Sequence, residues 1–166
     1  GLGEHTGIEI GDAAGNLAQN KAGENQAPWA AFGQASYLFT PIQLANYIAT
    51  LVSGGKHCEA HLLKAVKSYD NTQVLAVGNT DPKNTVDISG EALTAVKKGM
   101  HDLTTTGSLA PYFKDCVVDA GAKTGTAQLG SNITNNGVFV CFAPYEEPEI
   151  AVAIAIEHGG SGAALA

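Results

Sequence analysis

The chain has 166 residues, is 45% hydrophobic and 15% charged, and carries a formal charge of 9 − 16 = −7 at neutral pH. That length can bury one core, so one domain or subdomain is the expected count. All the cations are lysines and none is arginine, which removes bidentate guanidinium recognition of phosphate and leaves no basic patch for nucleic acid. The longest apolar runs, such as Ile150 to Ile156, are too short to span a bilayer, and Gly1-Leu2-Gly3 opens the chain without a signal-peptide pattern.

Residues 11 to 31, rich in Gly, Ala and Asn, read as loop, with Trp29 pinning it onto the core. A helix start follows at Thr40-Pro41-x-Gln43. Thr40 is the N-cap, Pro41 takes the first helical position, and Gln43 reaches back as in a capping box. Ile42, Ala45, Ile48, Ala49 and Val52 share one face of that helix, and Gly54 stops it. Two strand-like runs, His61 to Tyr69 and Gln73 to Val77, flank Asp70-Asn71-Thr72 and predict a hairpin at the solvent side. A second helix is predicted over about Glu91 to Leu103, with Leu93, Val96, Met100 and Leu103 as its apolar stripe.

Three strands are then expected at about Val117 to Gln128, Gly137 to Phe142 and Glu149 to Glu157. In the last, Ile150, Val152, Ile154 and Ile156 face one way and Ala151, Ala153 and Ala155 the other. Both faces are apolar, which predicts a strand covered on both sides and a sheet sandwiched between helices. Ser161 to Ala166 read as a helix beginning on a Ser161 cap.

Cys58, Cys116 and Cys141 do not make a paired framework, and Cys116 and Cys141, in apolar strand-like contexts, are expected to be buried thiols. His57-Cys58-x-x-His61 offers three donors with no fourth at structural-zinc spacing, so it reads as surface strand and no metal or cofactor is expected. Gly55-Lys56 is followed by His57 without the upstream glycine of a phosphate loop, and Gly1-x-Gly3 lacks a preceding strand.

The stretch that carries chemistry is Lys123-Thr124-Gly125-Thr126, between Cys116-Val117-Val118 and the glycine-rich loop after Gln128. On a strand, Thr124 and Thr126 project to one side, where two hydroxyls can hold a carboxylate, and Lys123 projects to the other. Gly125 adds no side chain, so a substrate backbone can lie close to an edge strand and pair with it. The lysine ammonium supplies positive potential for a carboxylate and a developing oxyanion. K-T-G is the third motif of class A β-lactamases and penicillin-binding proteins, beside S-x-x-K and S-D-N.

Further motifs accompany it in order. Phe32-Gly33-Gln34 through Thr40-Pro41-Ile42-Gln43-Leu44-Ala45 resembles the G-Q-x-x-x-x-x-T-P-x-Q-L-A segment of penicillin-binding proteins, the high-molecular-weight, class B-like transpeptidases in particular. Gly1-Leu2-Gly3 to Glu9 is similar to the segment ahead of it, and Met100 with Thr106-Gly107 to the G-M…G-T-A region, with Ser108 where the family often has Thr. Ala122 to Gln128 resembles K-T-G-T-A-Q. Phe139 to Pro144, Pro148 to Val152 and Glu157-His158-Gly159-Gly160 resemble the closing hairpin and its E-N-G-G end.

The departures lie in what is missing. The family's S-x-x-K helix and S-x-N turn both precede K-T-G, the first of them ahead of the G-L-G segment, and neither region is present. A literal Ser53-Gly54-Gly55-Lys56 exists, but its glycines suit a helix stop, whereas a nucleophile at a helix start needs its lysine one turn along the same helix. Residues 1 to 166 are therefore identified as the C-terminal portion of a transpeptidase domain.

The resemblance implies an α/β (α+β) fold, an antiparallel sheet flanked by helices, of the penicillin-binding transpeptidase and serine β-lactamase type. It implies D,D-transpeptidation of peptidoglycan stem peptides ending in D-Ala-D-Ala, through an acyl-serine that β-lactams trap. On that resemblance Lys123 takes the electrostatic and proton-network role, Thr124 and Thr126 bind the terminal carboxylate, Gly125 lets the substrate backbone lie close, and the Thr126 N–H is an oxyanion donor. The chain alone is expected to be inactive and to self-associate through an unpaired edge at Lys123 to Gln128. The parent is expected to be membrane-anchored with this domain on the extracytoplasmic face. A serine β-lactamase or β-lactam sensor domain, and a noncatalytic binding module, remain as alternatives.

Overall fold

The computed structural model describes residues 1–17, 27–31 and 33–165. Part of the loop predicted over residues 11 to 31, and Phe32 of the G-Q segment, therefore lie outside the described residues. The elements in order are helices α1 (Ala27–Ala31) and α2 (Pro41–Val52), strands β1 (Lys56–Cys58), β2 (Ala65–Lys67), β3 (Val74–Val77) and β4 (Pro82–Thr85), helices α3 (Gly90–Thr105) and α4 (Ala110–Phe113), strands β5 (Gly121–Ala127), β6 (Asn136–Ala143) and β7 (Ile150–Ile156), and a 3-10 turn η1 (Gly162–Leu165).

The central sheet is antiparallel in the order β5-β6-β7, pairing Thr124 with Phe139 and Phe139 with Ile154. Directly opposed residues share a face. One face thus carries Gly121, Lys123, Gly125, Val140, Phe142 and Ala151, and the other Ala122, Thr124, Thr126, Phe139, Cys141 and Val152. A core lies on each side. Ile48 and Leu51 of α2 meet Met100 of α3 against Phe142, with Ala151 beside them. On the reverse face Leu109 packs on Ala122 and Phe139, with Leu103, Phe113 and Ala163 around it. Phe142 and Leu109 are fully buried, and each such side chain contributes about 1.5–3 kcal/mol. The antiparallel sheet between helices is as expected.

Local chemistry explains the long helices. Thr40 Oγ1 accepts from Gln43 N at 3.3 Å while Gln43 Oε1 accepts from Thr40 N at 2.9 Å, completing the predicted capping box. Gln43 does more than cap. Its amide, 1% exposed, donates to the carbonyls of Glu4 (2.8 Å) and Ala14 (2.7 Å), pinning the N-terminal segment to α2. Ser89 caps α3 through Ala92 N at 3.1 Å, and the helix ends at Thr106, whose N–H bonds Asp102 O.

Several expectations are corrected. Residues 27–31 are helical rather than loop, and Trp29 is half exposed rather than pinned into the core. Within the stripe of α3, Val96 faces solvent, while Met100 is buried and Leu93 and Leu103 are partly so. The first hairpin strand shrinks to Ala65–Lys67, and the KTGT strand starts at Gly121, after α4 and a bend that exposes Val117 fully. Cys116 is exposed; Cys141 is half-buried, and burial pushes its thiol pKa up. His57 is buried rather than at the surface. Most informative is β7: its alanine face meets α2, but Ile150, Ile154 and Ile156 are 62%, 36% and 43% exposed, so the strand is not covered on both sides by the described residues.

Candidate functional site

The site is built on β5, an edge strand with no partner beyond β6 among the described residues. Its start is fixed from below. Thr104, 4% exposed, places Oγ1 2.6 Å from the Ala120 carbonyl and 2.8 Å from that of His101, coupling α3 to the residue that precedes the strand. Gly121 follows because nothing larger fits: a Cβ there would lie 2.5 Å from the Phe142 ring.

Lys123, Thr124, Gly125 and Thr126 occupy consecutive positions of this strand, with Thr124 and Thr126 on the face of Phe139 and Lys123 on the opposite one, as strand alternation requires. Thr124 is half-buried; Lys123, Gly125 and Thr126 are exposed. The Lys123 ammonium donates to the Thr124 carbonyl. The Thr126 carbonyl accepts from Gln34 Nε2 at 3.0 Å, a bond spanning 92 residues. Since N–H and C=O of one residue leave an antiparallel strand on the same side, and sides alternate, Thr124 and Thr126 present their backbone groups to the open edge.

Thr126 is held a second way. The turn after β7 is tied down by Gly160 N to Asn135 O (2.9 Å) and His158 N to Asn136 Oδ1 (2.9 Å), and it delivers Gly162 N to Thr126 Oγ1 at 3.3 Å. Gly162 lies so close to the sheet that a Cβ would stand 2.2 Å from the Gly125 carbonyl. With its oxygen accepting an amide from one side, the Thr126 hydroxyl has its own proton left to donate. Gly125 itself is unconstrained by the fold, because a Cβ there would meet Val138 Cβ at 3.6 Å, an ordinary contact.

The other patterns carry no site. Ser53 terminates α2 rather than starting a helix, and its hydroxyl donates to the carbonyls of Thr50 (3.2 Å) and Lys56 (3.0 Å). His57 is buried, its pKa lowered by desolvation, whereas His61 is exposed and bonded to the Leu63 carbonyl at 3.0 Å. No group of three metal-capable side chains forms among the described residues. Sequence reasoning assigned no role to Gln34, Thr104 or Gly162. Gln34 stands in the Gly33-Gln34 to Thr40-Pro41 stretch, but nothing local in the sequence pairs it with Thr126.

An edge strand offering two threonine hydroxyls, an ammonium and outward backbone groups is equipped to pair with an extended, acidic ligand. A family model for the penicillin binding protein transpeptidase domain matches residues 1–166, and the chain belongs to that family. Escherichia coli K12 peptidoglycan D,D-transpeptidase MrdA is 30% identical over 191 residues, an alignment covering 99% of this chain and 30% of MrdA. Among solved structures, penicillin-binding protein 2B of Streptococcus pneumoniae R6 is similar with a TM-score of 0.81 at 26% identity, covering 95% of this chain and 27% of that one. Helicobacter pylori PBP2, in a complex with MreC, is similar with a TM-score of 0.74 at 25% identity, covering 99% and 31%. The chain thus spans about 30% of the length of MrdA.

Proposed function

We propose that this chain is the C-terminal, substrate-strand portion of a serine-type peptidoglycan D,D-transpeptidase, and that residues outside this stretch supply the nucleophile. The serine attacks the carbonyl of an acyl-D-Ala-D-Ala stem peptide, the C–N bond breaks, and D-Ala leaves with the proton. An amine of a neighbouring stem peptide then takes the acyl group and restores the serine. Lys123 provides positive potential and joins the proton network. Thr124 and Thr126 hydroxyls bind the terminal carboxylate, and the Thr126 N–H donates to the oxyanion. β-Lactams acylate the same serine. The domain works on the extracytoplasmic face of the membrane.

The observation that carries this reading is Thr126: its hydroxyl oxygen is already engaged by Gly162 N at 3.3 Å, and its carbonyl is held outward by Gln34. Supporting it is the absence, among the described residues, of a serine one helical turn ahead of a lysine at a helix start. The test has two arms. The 166-residue chain incubated with benzylpenicillin should show no adduct by mass spectrometry; an adduct at Ser53 would overturn the assignment of the nucleophile elsewhere. In the full-length polypeptide, labelled stably by a fluorescent penicillin, Thr126→Val should cost about 1–3 kcal/mol in acylation, the scale for a charged group short of one hydrogen bond. Rapid release of hydrolysed penicillin would instead mark a β-lactamase.

A further inference from the structure

Gln34, outside the sheet and its connecting turns, bonds the KTGT strand through its side chain. It follows α1, and its own N–H donates to Trp29 O at 2.9 Å. Four residues on, Leu38 forms an antiparallel bridge with Asn16 (Asn16 N to Leu38 O 2.6 Å, Leu38 N to Asn16 O 3.0 Å), and Thr40 then caps α2. Gln34 therefore sits on a segment held on both sides, and its half-buried side chain is presented by a fixed backbone. The partner it reaches, the Thr126 carbonyl, belongs to the open edge where an extended acyl substrate pairs.

We propose that Gln34 is a positioning residue for acyl transfer: by donating Nε2–H to the Thr126 carbonyl, it keeps Thr126 extended and so aims the Thr126 N–H at the oxyanion. The inference rests on the transpeptidase reading above. The physical step is short. Carbonyl and N–H of an extended residue point the same way, so a carbonyl held outward holds the N–H outward too. A carbonyl has two lone pairs, and Gln34 takes one; the other stays open to an amide N–H of a substrate strand lying along β5. Gln34 thus aligns the edge without occupying it. Without that donor, the last residues of an edge strand, hydrogen-bonded on one side only, are free to twist away, and the oxyanion donor goes with them.

The discriminating variant is Gln34→Glu, equal in shape but, when ionised, unable to donate. In the full-length polypeptide, acylation by benzylpenicillin should fall about ten- to hundredfold at pH 7.5, less than the about 10²–10³ lost on deleting an oxyanion donor itself. The loss should lie in the acylation rate constant rather than in initial binding. As pH falls through the introduced carboxyl group's pKa, ordinarily about 4.3, the group takes up a proton and regains an O–H donor, so the ratio of Gln34→Glu to parent should recover. Gln34→Ala should lose as much and show no recovery. Activity of both variants within about twofold of the parent at pH 7.5 overturns the proposal, as does a Gln34→Glu deficit that is constant with pH. If the unsubstituted protein is not acylated at all, the transpeptidase reading fails by itself. Hydrogen exchange then decides the Gln34 contact: faster exchange confined to residues 124–127 in Gln34→Ala supports it, and unchanged exchange refutes it.

Discussion

Thr104→Val tests how β5 is tied to α3. Valine keeps the volume and branching of threonine and replaces only the hydroxyl. The His101 carbonyl keeps a hydroxyl partner after the change, since Thr105 Oγ1 donates to it at 3.0 Å, but the Ala120 carbonyl loses the donor seen at 2.6 Å. Ala120 is 6% exposed, so water does not readily replace that donor. A buried acceptor left bare costs about 1–3 kcal/mol. With a urea m-value of about 2 kcal/mol/M, the unfolding midpoint of the 166-residue chain should drop by about 0.5–1.5 M, followed by far-UV circular dichroism. Thr104→Ser keeps the hydroxyl and loses one methyl, about 0.8 kcal/mol, so it should fall by about 0.4 M. The order parent, Ser, Val is the signature of the hydrogen bond. If valine matches the parent while serine is weaker, the methyl carries the stability and the tether to Ala120 carries none.

Gly125→Ala should move stability and function in opposite directions: the Cβ fits at 3.6 Å from Val138 Cβ, so relief of glycine's entropy cost should stabilise the chain by about 0.5–1 kcal/mol, while full-length acylation falls because the methyl stands where substrate lies. A destabilised variant in thermal melts, or one acylated like the parent, would refute it. The Glu9 carboxylate clasps Leu62 N (2.8 Å) and Leu63 N (3.2 Å), and the Leu62 amide, first among its contacts, holds its pKa below the ordinary carboxylate value. A depressed folded pKa means that the clasp is intact above the unfolded value and is lost as pH falls through the folded one, so exchange in residues 61–78 should accelerate under acid relative to Glu9→Gln, and equal acid sensitivity in both would refute the clasp. Finally, the exposed isoleucine face of β7, together with edges on β5 and β7 that no strand of the described residues pairs, should drive self-association of the 166-residue chain; light-scattering mass that stays monomeric across concentration and salt would count against it.

What was legible in the sequence follows from which interactions are local. The Thr40 capping box, the long helix that follows Ser89 and the alternation of β7 are all dictated within a few residues, and all appear where expected. The hairpin around Asp70 was legible because Asp70 bonds Ser68 and Thr72 within its own turn. What failed was non-local or short. α4 is one turn with no side-chain cap at Leu109, and β1 pairs β4 across a gap of some two dozen residues with no periodicity to announce it. The expectation for Cys116 rests on residue-type burial averages, which say nothing about a particular neighbourhood, and nothing local fixes where Trp29 packs. The isoleucines of β7 satisfy the pattern of a strand covered twice, yet pattern reports what a face requires, not whether these residues supply the cover.

The same division explains why so brief a motif can define a site. On the proposed reading Lys123, Thr124, Gly125 and Thr126 hold the chemistry, but their directions are set elsewhere: strand phase by pairing with β6, the start of the strand by Thr104 from α3, the Thr126 hydroxyl by Gly162 after β7, and the Thr126 carbonyl by Gln34 ahead of α2. Each of the last three is a single hydrogen bond to a backbone or hydroxyl group, worth about 1 kcal/mol in stability. Their joint effect is of another kind. An oxyanion donor helps only when it is already aimed before charge develops, so a strand edge free to twist loses most of its advantage while the fold loses little. The ties come from segments spread from Gln34 to Gly162, and that spread is why the residues that aim the site are harder to read from sequence than the residues that perform it.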